Sequence, residues 1–160
     1  MPYRMHSQYL RSLFLDNDLA EGRFQVCGRP IALHDIRVPI FAVGTERDHV
    51  APWRSVFKFH LFADEVTFAL TNGGHNAGIV SEPGHPRRHY RLTTKSREEP
   101  YVDPDTWMAK TPPQERSWWP ALGAWLAARS GAEVAPPPLG RPGTRFAPLI
   151  DAPGSYVLMR

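Results

Sequence analysis

The sequence predicts an α/β fold built around a pair of parallel strands. Two short apolar runs, at residues 38–44 and 66–70, have the composition of strands that are buried on both faces. Between them, residues 53–62 repeat apolar side chains at helical spacing. A strand, a helix and a second strand in this order form a βαβ unit of about 35 residues, which places the two strands side by side and parallel.

Length and composition fit this class. The 160 residues are 42% apolar and 22% charged, with a formal net charge of +3, as in one soluble globular domain. No run approaches the roughly 18–20 apolar residues of a transmembrane helix, and the start lacks the apolar core of a signal peptide. The single cysteine excludes an internal disulfide and favours a reducing, cytoplasmic compartment.

The first third of the chain predicts one helix and three strands. Residues 5–16 form an amphipathic helix in which Leu10, Leu13 and Phe14 share a face. Residues 24–27 and 30–33 are short strand candidates. The strongest strand, 38–44, contains Pro39 near its start, where the missing N–H costs the ladder least.

The middle third completes the βαβ unit. The helix at residues 53–62 begins after Pro52, a residue that suits a helix start. Its apolar face is formed by Trp53, Val56, Phe57 and Leu61. The strand at residues 66–70 ends at the turn Asn72-Gly73-Gly74.

The last third predicts less regular structure. Residues 81–116 are dense in Pro, Gly, Arg and His and are interpreted as a long irregular excursion, with 87–91 as a solvated loop rather than a nucleic-acid surface. Ser117 is positioned to cap a final helix. Trp118, Leu122, Trp125 and Leu126 lie on one face of that helix. Trp118, Trp119 and Trp125 could line an apolar substrate path, but they are interpreted as core. We therefore divide the chain into a folded part, 1–132, and an extended Pro-rich tail, 133–160.

Two polar loops follow the two predicted parallel strands. Asp48 lies in the loop at residues 44–53, and His75 lies in the loop at residues 71–78. Ligands of open α/β sheets bind at these carboxyl ends. An acid after one strand and a histidine after the next match the order of the last two triad members in α/β-hydrolases. In such a triad the carboxylate orients the imidazole, which takes the proton of the nucleophile.

Simpler interpretations of these residues remain open. Asp48 could cap the helix that follows it, and His75 could be an ordinary exposed loop residue. The nucleophile is also missing, because a nucleophile elbow needs small residues two positions before and after it. Cys27 has Gln25 and Arg29 there, so it is interpreted as a packing residue.

A metal site is not predicted. His85 and His89 are spaced as two ligands on one face of a helix would be. Gly84 and Pro86 oppose a helix in that segment, and no third ligand is evident.

Six segments of the chain resemble, in order, the carboxyl-terminal part of the poly(3-hydroxyalkanoate) synthases, which are also called polyhydroxyalkanoate polymerases. The most specific are D-H-x-x-P-W, beginning at Asp48, and G-H-x-A-G, beginning at Gly74. The six segments span residues 5–11, 26–31, 45–53, 74–79, 117–120 and 152–157. The resemblance implies the last strands and helices of an α/β-hydrolase fold followed by the Pro-rich tail. It also implies a Cys-Asp-His triad that transfers (R)-3-hydroxyacyl groups from coenzyme A to a growing polyester.

The resemblance also implies roles for individual residues. His75 would be the general base, and Asp48 would orient it or help to activate the incoming hydroxyl. His49 would steady the acid loop and Trp53 would pack beside the site, and these two residues and Asn76 are predicted substrate contacts. No metal or dissociable cofactor is expected, because the coenzyme A thioester is the substrate. A homo-oligomer that acts in the cytoplasm at the surface of polyester granules is implied, without nucleic acid or a transmembrane segment.

The chain departs from this family in one large respect. The catalytic cysteine of the family lies in an elbow upstream of the matched region. We therefore expect a fragment, natural or cloned, that lacks an amino-terminal half and is inactive alone. The alternative is a non-catalytic module, derived from the same family, for self-association or for binding to granules or partners.

Overall fold

The structure, a computed structural model, describes residues 1–159 and begins with a helix and a hairpin. Helix α1 (Tyr3–Tyr9) continues into a π-helical turn over Leu10–Leu15. Strands β1 (Phe24–Val26) and β2 (Arg29–Ile31) pair antiparallel, as a hairpin separate from the main sheet. Cys27 and Gly28 connect them with φ angles of +50° and +74°, the pair of positive values that a type I′ hairpin turn requires.

The main sheet has four strands in the order β3 (Ile40–Thr45), β4 (Val66–Thr71), β5 (His89–Lys95) and β6 (Gln114–Glu115). β3 and β4 are parallel, with a register that runs from Ile40 opposite Val66 to Thr45 opposite Thr71. β5 and β6 each join antiparallel. The predicted α/β class and parallel pair are therefore confirmed, within a mixed sheet.

The core lies between the main sheet and the helix that connects β3 with β4. Helix α2 (Trp53–Phe57) is followed by a 3₁₀ turn over Lys58–Leu61. Phe57 and Phe68 are 1% and 0% exposed, and their rings meet edge to face at 5.1 Å. β4 is buried at all six positions, because α2 packs on the sheet and strands flank β4 on both edges.

The predicted apolar face of this helix is wrong at its last position. Leu61 is 47% exposed, whereas His60 is 5% exposed. The reason is the change from α-helix to 3₁₀ geometry after Phe57, since three residues per turn instead of 3.6 rotate the following side chains around the axis.

The prediction of an irregular excursion at residues 81–116 is also wrong. This segment contains β5, helix α3 (Pro104–Lys110) and β6. A strand as buried as β4 needs hydrogen-bonding partners on both edges, and β5 supplies the second edge. The supposed solvated loop at 87–91 therefore runs into a strand, and the Arg91 guanidinium donates to the carbonyl of Thr111.

Helix α3 begins at an acidic cap that the sequence prediction missed. The Asp103 carboxylate accepts hydrogen bonds from the N–H groups of Asp105 and Thr106, at 3.1 and 3.0 Å. Hydrogen bonds from Thr106 lower the pKa of Asp103 below its ordinary value. Trp107 follows on the buried face of α3 and is 7% exposed. The cap therefore fixes where the helix that carries this core tryptophan begins.

We expect Asp103→Ala to lower the Tm by about 2–4 °C, because two N–H groups of the first turn lose their acceptor. Asp103→Asn is the matched control, since asparagine caps about as well and should keep most of the Tm. Differential scanning calorimetry near pH 7 measures both. Equal losses of Tm in the two variants would show that the negative charge of Asp103, rather than its capping hydrogen bonds, stabilises the fold.

The carboxyl-terminal helix is the one that the sequence predicts. Helix α4 covers Trp119–Ala127, and Ser117 Oγ accepts a hydrogen bond from the N–H of Trp119 at 3.0 Å. Trp118 is 5% exposed and stacks near Phe41, as the core interpretation predicts. That interpretation is wrong for Trp119, which is 38% exposed at the start of the helix, and Leu126 is half-exposed. None of the helices in residues 1–159 has the length and apolarity to cross a membrane.

Residues 1–126 form one compact unit, and the chain from 127 onward forms a second. A 3₁₀ turn at Tyr156–Leu158 is the regular element within the described part of the second unit. The predicted division at 132/133 and the draped tail stay predictions.

Candidate active site

The two polar loops at the carboxyl ends of β3 and β4 lie side by side. The backbone of the first loop pairs with that of the second: the Glu46 N–H donates to the Thr71 carbonyl at 2.9 Å, and the Arg47 N–H donates to the Gly73 carbonyl at 3.0 Å. The parallel register therefore extends beyond the strands. It brings Asp48 and His75 together, as the sequence predicts.

The Asp48 carboxylate is held by its own loop. Its Oδ1 accepts hydrogen bonds from the N–H groups of Val50 and Ala51, each at 2.8 Å, and the side chain is only 7% exposed. These contacts lower the pKa of Asp48 to about 2. The largest contribution is the Ala51 hydrogen bond, and the His75 and Val50 bonds add to it against the opposing effect of desolvation. Asp48 is therefore a fixed anion at neutral pH.

The His75 ring faces this anion. Its Nδ1 lies 2.9 Å from Asp48 Oδ2 and 3.1 Å from Oδ1. An ionised carboxylate only accepts hydrogen bonds, so Nδ1 carries the proton and Nε2 of the neutral ring is left as an acceptor. The His75 side chain is 46% exposed, which leaves the ring accessible to another group. This arrangement can take up a proton from a donor that approaches Nε2.

The glycines around His75 let its loop lie directly on the end of β3. A Cβ atom on Gly78 would lie 2.5 Å from Thr45 Cγ2, a distance that real contacts do not reach. Gly73 has a φ of +110°, and a Cβ there would lie 2.9 Å from the Gly78 backbone. We infer that any larger residue at either position would push His75 away from Asp48.

Two tryptophans anchor the other end of the histidine loop. Trp118 Nε1 donates to the Gly78 carbonyl at 3.2 Å, and Trp119 Nε1 donates to the Ile79 carbonyl at 2.9 Å. Trp118 is buried as the sequence predicts, but its contact with this loop was not predicted. A tryptophan pair at a helix start gives no signal about which carbonyl the indole N–H groups will reach.

A second group of polar contacts beside the pair was missed by sequence reasoning. The Asn72 side chain donates to the Arg87 carbonyl at 2.8 Å and accepts from the His89 N–H at 3.3 Å. His89 Nε2 lies 3.6 Å from Glu46 Oε1. These contacts tie the start of β5 to both loops. Thr93 and Thr94 were the available signal for this strand, because β-branched residues favour strands.

The three predicted substrate contacts occupy different environments. His49 and Asn76 are exposed in the two loops. Trp53 is 5% exposed, with its ring 6.4 Å from that of Phe68, so core packing accounts for its position. Substrate contact by these residues stays a prediction.

The alternative candidates lie outside this arrangement. Cys27 is exposed in the β1–β2 turn, so its interpretation as a packing residue is wrong. A nucleophile elbow, in contrast, joins a strand to a helix. His85 and His89 do not share a helix, since His89 begins β5. Throughout residues 1–159, no group of three or more His, Cys, Asp or Glu side chains is placed to hold a metal ion.

The sequence of the chain is similar to those of several known proteins. The chain is 37% identical to the poly(3-hydroxyalkanoate) polymerase subunit PhaC of Rhizobium meliloti, over 100% of this chain and 25% of that protein. It is 33% identical to the corresponding protein of Cupriavidus necator and 34% identical to poly(3-hydroxyalkanoate) polymerase 2 of Ectopseudomonas oleovorans, over 98% and 100% of this chain. The chain is a homologue of the poly(3-hydroxyalkanoate) polymerases. No protein-family model matches it.

The alignment covers very different fractions of this chain and of its relatives. The chain spans about a quarter of the length of the polymerases it matches. The aligned region covers essentially the whole chain, and so it includes both the Asp48 loop and the His75 loop. The resemblance proposed from six short segments is therefore confirmed along the chain.

The low pKa of Asp48 predicts how stability changes with pH. In the unfolded chain Asp48 has an ordinary pKa near 3.8, whereas in the folded chain it is about 2. The folded state therefore binds this proton less readily. Ionised Asp48 therefore stabilises the folded state. This stabilisation is complete above about pH 4 and is lost as the pH falls through about 2. We expect Asp48→Asn to remove this part of the pH dependence.

Thermal unfolding between pH 5 and 2 measures this effect. The difference in Tm between the native chain and Asp48→Asn should shrink as the pH falls. Asp16→Asn, at an exposed position outside the site, serves as the matched control. A constant difference for Asp48→Asn across that range would contradict the prediction.

Proposed function

We propose that the chain supplies the acid and the histidine of a Cys-Asp-His triad to an α/β-hydrolase-type acyltransferase. That enzyme would polymerise (R)-3-hydroxyacyl-CoA into polyester and release coenzyme A. The observation that carries the proposal is the 2.9 Å contact between His75 Nδ1 and Asp48 Oδ2 after two adjacent parallel strands. The homology to poly(3-hydroxyalkanoate) polymerases supports the reaction class.

The geometry suggests how protons would move. His75 Nε2 would take the proton of a cysteine thiol as the sulfur attacks the thioester carbonyl carbon. The bond between that carbon and the sulfur of coenzyme A would break, and His75 would return the proton to the departing thiolate. In elongation, a substrate hydroxyl would lose its proton to His75 while its oxygen attacks the acyl-enzyme. The ester would form as the bond between the acyl carbon and the cysteine sulfur breaks, and His75 would return the proton to the cysteine thiolate.

Asp48 would serve this cycle as an anion of fixed position. Its two backbone hydrogen bonds keep the carboxylate in place while it accepts from Nδ1. A fixed carboxylate holds the imidazole in the tautomer that exposes Nε2 and stabilises the imidazolium that forms in each step. In the reaction as proposed, the chemistry of a metal or redox cofactor is not needed.

The nucleophile would come from a segment of a longer polymerase. Cys27 lies in a hairpin turn, where its positive φ serves the backbone connection. We therefore propose that the 160-residue chain alone does not release coenzyme A. Association with a second copy and with a polyester granule belongs to the same proposal.

A chimeric polymerase tests this function. The quarter of the Rhizobium meliloti polymerase that matches this chain is replaced by the 160 residues, and thiol release from (R)-3-hydroxybutyryl-CoA is followed with a chromogenic reagent. We expect release by the chimera and none by the isolated chain. Circular dichroism verifies that the chimera folds, and a parallel chimera with the Cupriavidus necator protein repeats the test.

Two outcomes would contradict the proposal. Release of coenzyme A by the isolated chain would refute the need for an outside cysteine. Folded chimeras that bind the thioester but release no thiol would refute the catalytic assignment of Asp48 and His75.

A non-catalytic module for self-association is the second candidate, and one observation favours it. Within residues 1–159, β3 pairs with β4 along one edge, and its other edge has no partner strand. Val38, two residues before β3, is 67% exposed. An open apolar strand edge favours pairing with another chain. Size-exclusion chromatography with light scattering would show dimers that increase with concentration. A monodisperse monomer at all concentrations would contradict this candidate.

A further inference from the structure

A cavity of about 360 Å³ lies at the opposite end of the main sheet from Asp48 and His75. It is lined by the end of β5, where Lys95 pairs with Val66, the first residue of β4. Asp48 and His75 follow the last residues of β3 and β4, and the five steps of about 3.3 Å along a six-residue strand separate its two ends by roughly 17 Å. The cavity is therefore a place distinct from the candidate active site.

The cavity has the size and apolar lining of a small-molecule site. Its volume falls within the roughly 300–1,000 Å³ typical of ligand pockets. Phe57 and Trp107, which are 1% and 7% exposed, form part of its wall together with Val102. Trp107 is fixed there, because its Nε1 donates to Thr93 Oγ1 at 2.6 Å. An apolar segment of a ligand would therefore meet a rigid aromatic surface.

One buried polar group lines this cavity with part of its hydrogen-bonding capacity unused. His60 is 5% exposed, and its Nδ1 lies 2.8 Å from the Phe57 carbonyl oxygen. A carbonyl only accepts, so Nδ1 carries the proton and Nε2 of the neutral ring is an acceptor. Within residues 1–159, the hydrogen bond found for the His60 ring is the one between Nδ1 and the Phe57 carbonyl oxygen. Burial lowers the pKa of His60, the Phe57 bond opposes this, and nearby Lys95 lowers it further, so the neutral form is favoured.

The charged groups around the cavity favour an anion. Lys95 and Lys110 line it, and Glu99 is the acidic side chain among its lining residues. Glu99 Oε2 already accepts the Ser96 N–H at 2.7 Å. Lys95 Nζ donates to the Ser96 carbonyl at 3.1 Å and retains two further protons. The two ammonium groups can therefore receive a carboxylate.

We propose that this cavity binds a small hydroxycarboxylate. The carboxylate accepts hydrogen bonds from Lys95 and Lys110, the hydroxyl donates to His60 Nε2, and the hydrocarbon part packs on Phe57 and Trp107. The neutral imidazole acceptor selects for a hydroxyl, and the lysines select for the carboxylate. This binding does not depend on the function proposed for Asp48 and His75.

Titrations of the ¹⁵N-labelled chain followed by amide NMR test the proposal. The ligands are 2-, 3- and 6-hydroxyhexanoate, with hexanoate and hexane-1,3-diol as controls that each lack one polar group. We expect saturable shifts at amides near residues 57–60, 93–95 and 107–111 for at least one hydroxyacid. Both controls should bind at least fivefold more weakly than that hydroxyacid. Equal affinity for all ligands, or shifts confined to the loops of Asp48 and His75, would overturn the proposal.

Lysine variants test the charge contacts. Lys95→Gln together with Lys110→Gln should weaken the best ligand at least tenfold, whereas Lys58→Gln, at an exposed lysine outside the cavity, should leave Kd within twofold. If the double variant is not folded under the conditions of the titration, Val102→Trp in the cavity wall replaces it. This variant should abolish the amide shifts caused by the ligand. Unchanged affinity in the folded variants would overturn the proposal.

Discussion

Replacing His75 by alanine should reduce coenzyme A release by a polymerase that carries this chain about 10⁴-fold or more. Without the imidazole, no side chain accepts the thiol proton. Asp48 also loses the hydrogen-bond donor that lies 2.9 Å from its Oδ2. Asp48→Asn should lower kcat by a comparable factor while changing KM little, because an amide can donate to Nδ1 and thereby favour the wrong tautomer. Steady-state thiol release measures both.

The two variants have a matched control and a common check. His6→Ala removes an exposed histidine from α1 and should leave kcat within about twofold. The double variant at Asp48 and His75 should be little worse than His75→Ala alone, since residues that act as a unit are not additive. A His75→Ala polymerase that retained a tenth of its activity would contradict a role as general base.

Phe68→Ala should lower the free energy of unfolding by about 3–5 kcal/mol. Phe68 is 0% exposed at the centre of β4, and its ring lies 5.1 Å from that of Phe57 and 5.2 Å from that of Trp107. Removal of the ring leaves a cavity that rigid aromatic neighbours cannot fill. A domain of this size is stable by about 5–15 kcal/mol, so the loss is a large part of the total.

Urea unfolding measured by tryptophan fluorescence provides the test. Phe14→Ala is the matched control: it removes the same ring at a position that is 71% exposed and should cost less than about 0.5 kcal/mol. A loss below about 1.5 kcal/mol for Phe68→Ala would show that the aromatic cluster is not the main core of the sheet.

Several features of the fold could be predicted because they depend on local periodicity. The apolar runs of β3 and β4 and the spacing of Trp53 and Phe57 mark a βαβ unit whatever surrounds them. The Asp48–His75 contact followed from the same pattern, because neighbouring parallel strands end at the same edge of a sheet. The helix starts at Pro52 and Ser117 are also local, since each depends on the first turn of its own helix.

The missed features depend on contacts between distant segments. His89 and Arg91 belong to a strand because β4 needs a second partner, and the polar composition of 87–91 gives no hint of that need. His60 is buried in place of Leu61 because the helix tightens into a 3₁₀ turn, where it stacks on Phe57 at 4.1 Å. The role of Cys27 in a hairpin turn likewise appears only once β1 and β2 are seen to pair.

The sequence by itself determined the α/β class, the parallel pair and the two loops that carry Asp48 and His75, since each follows from the spacing of residues along one stretch of chain. Only the tertiary structure decided how the site is held. The close fit of Gly78 on Thr45 and the anchoring of the histidine loop by Trp118 both require segments far apart in sequence to meet. Such contacts depend on distances and burial, which a one-dimensional pattern does not contain.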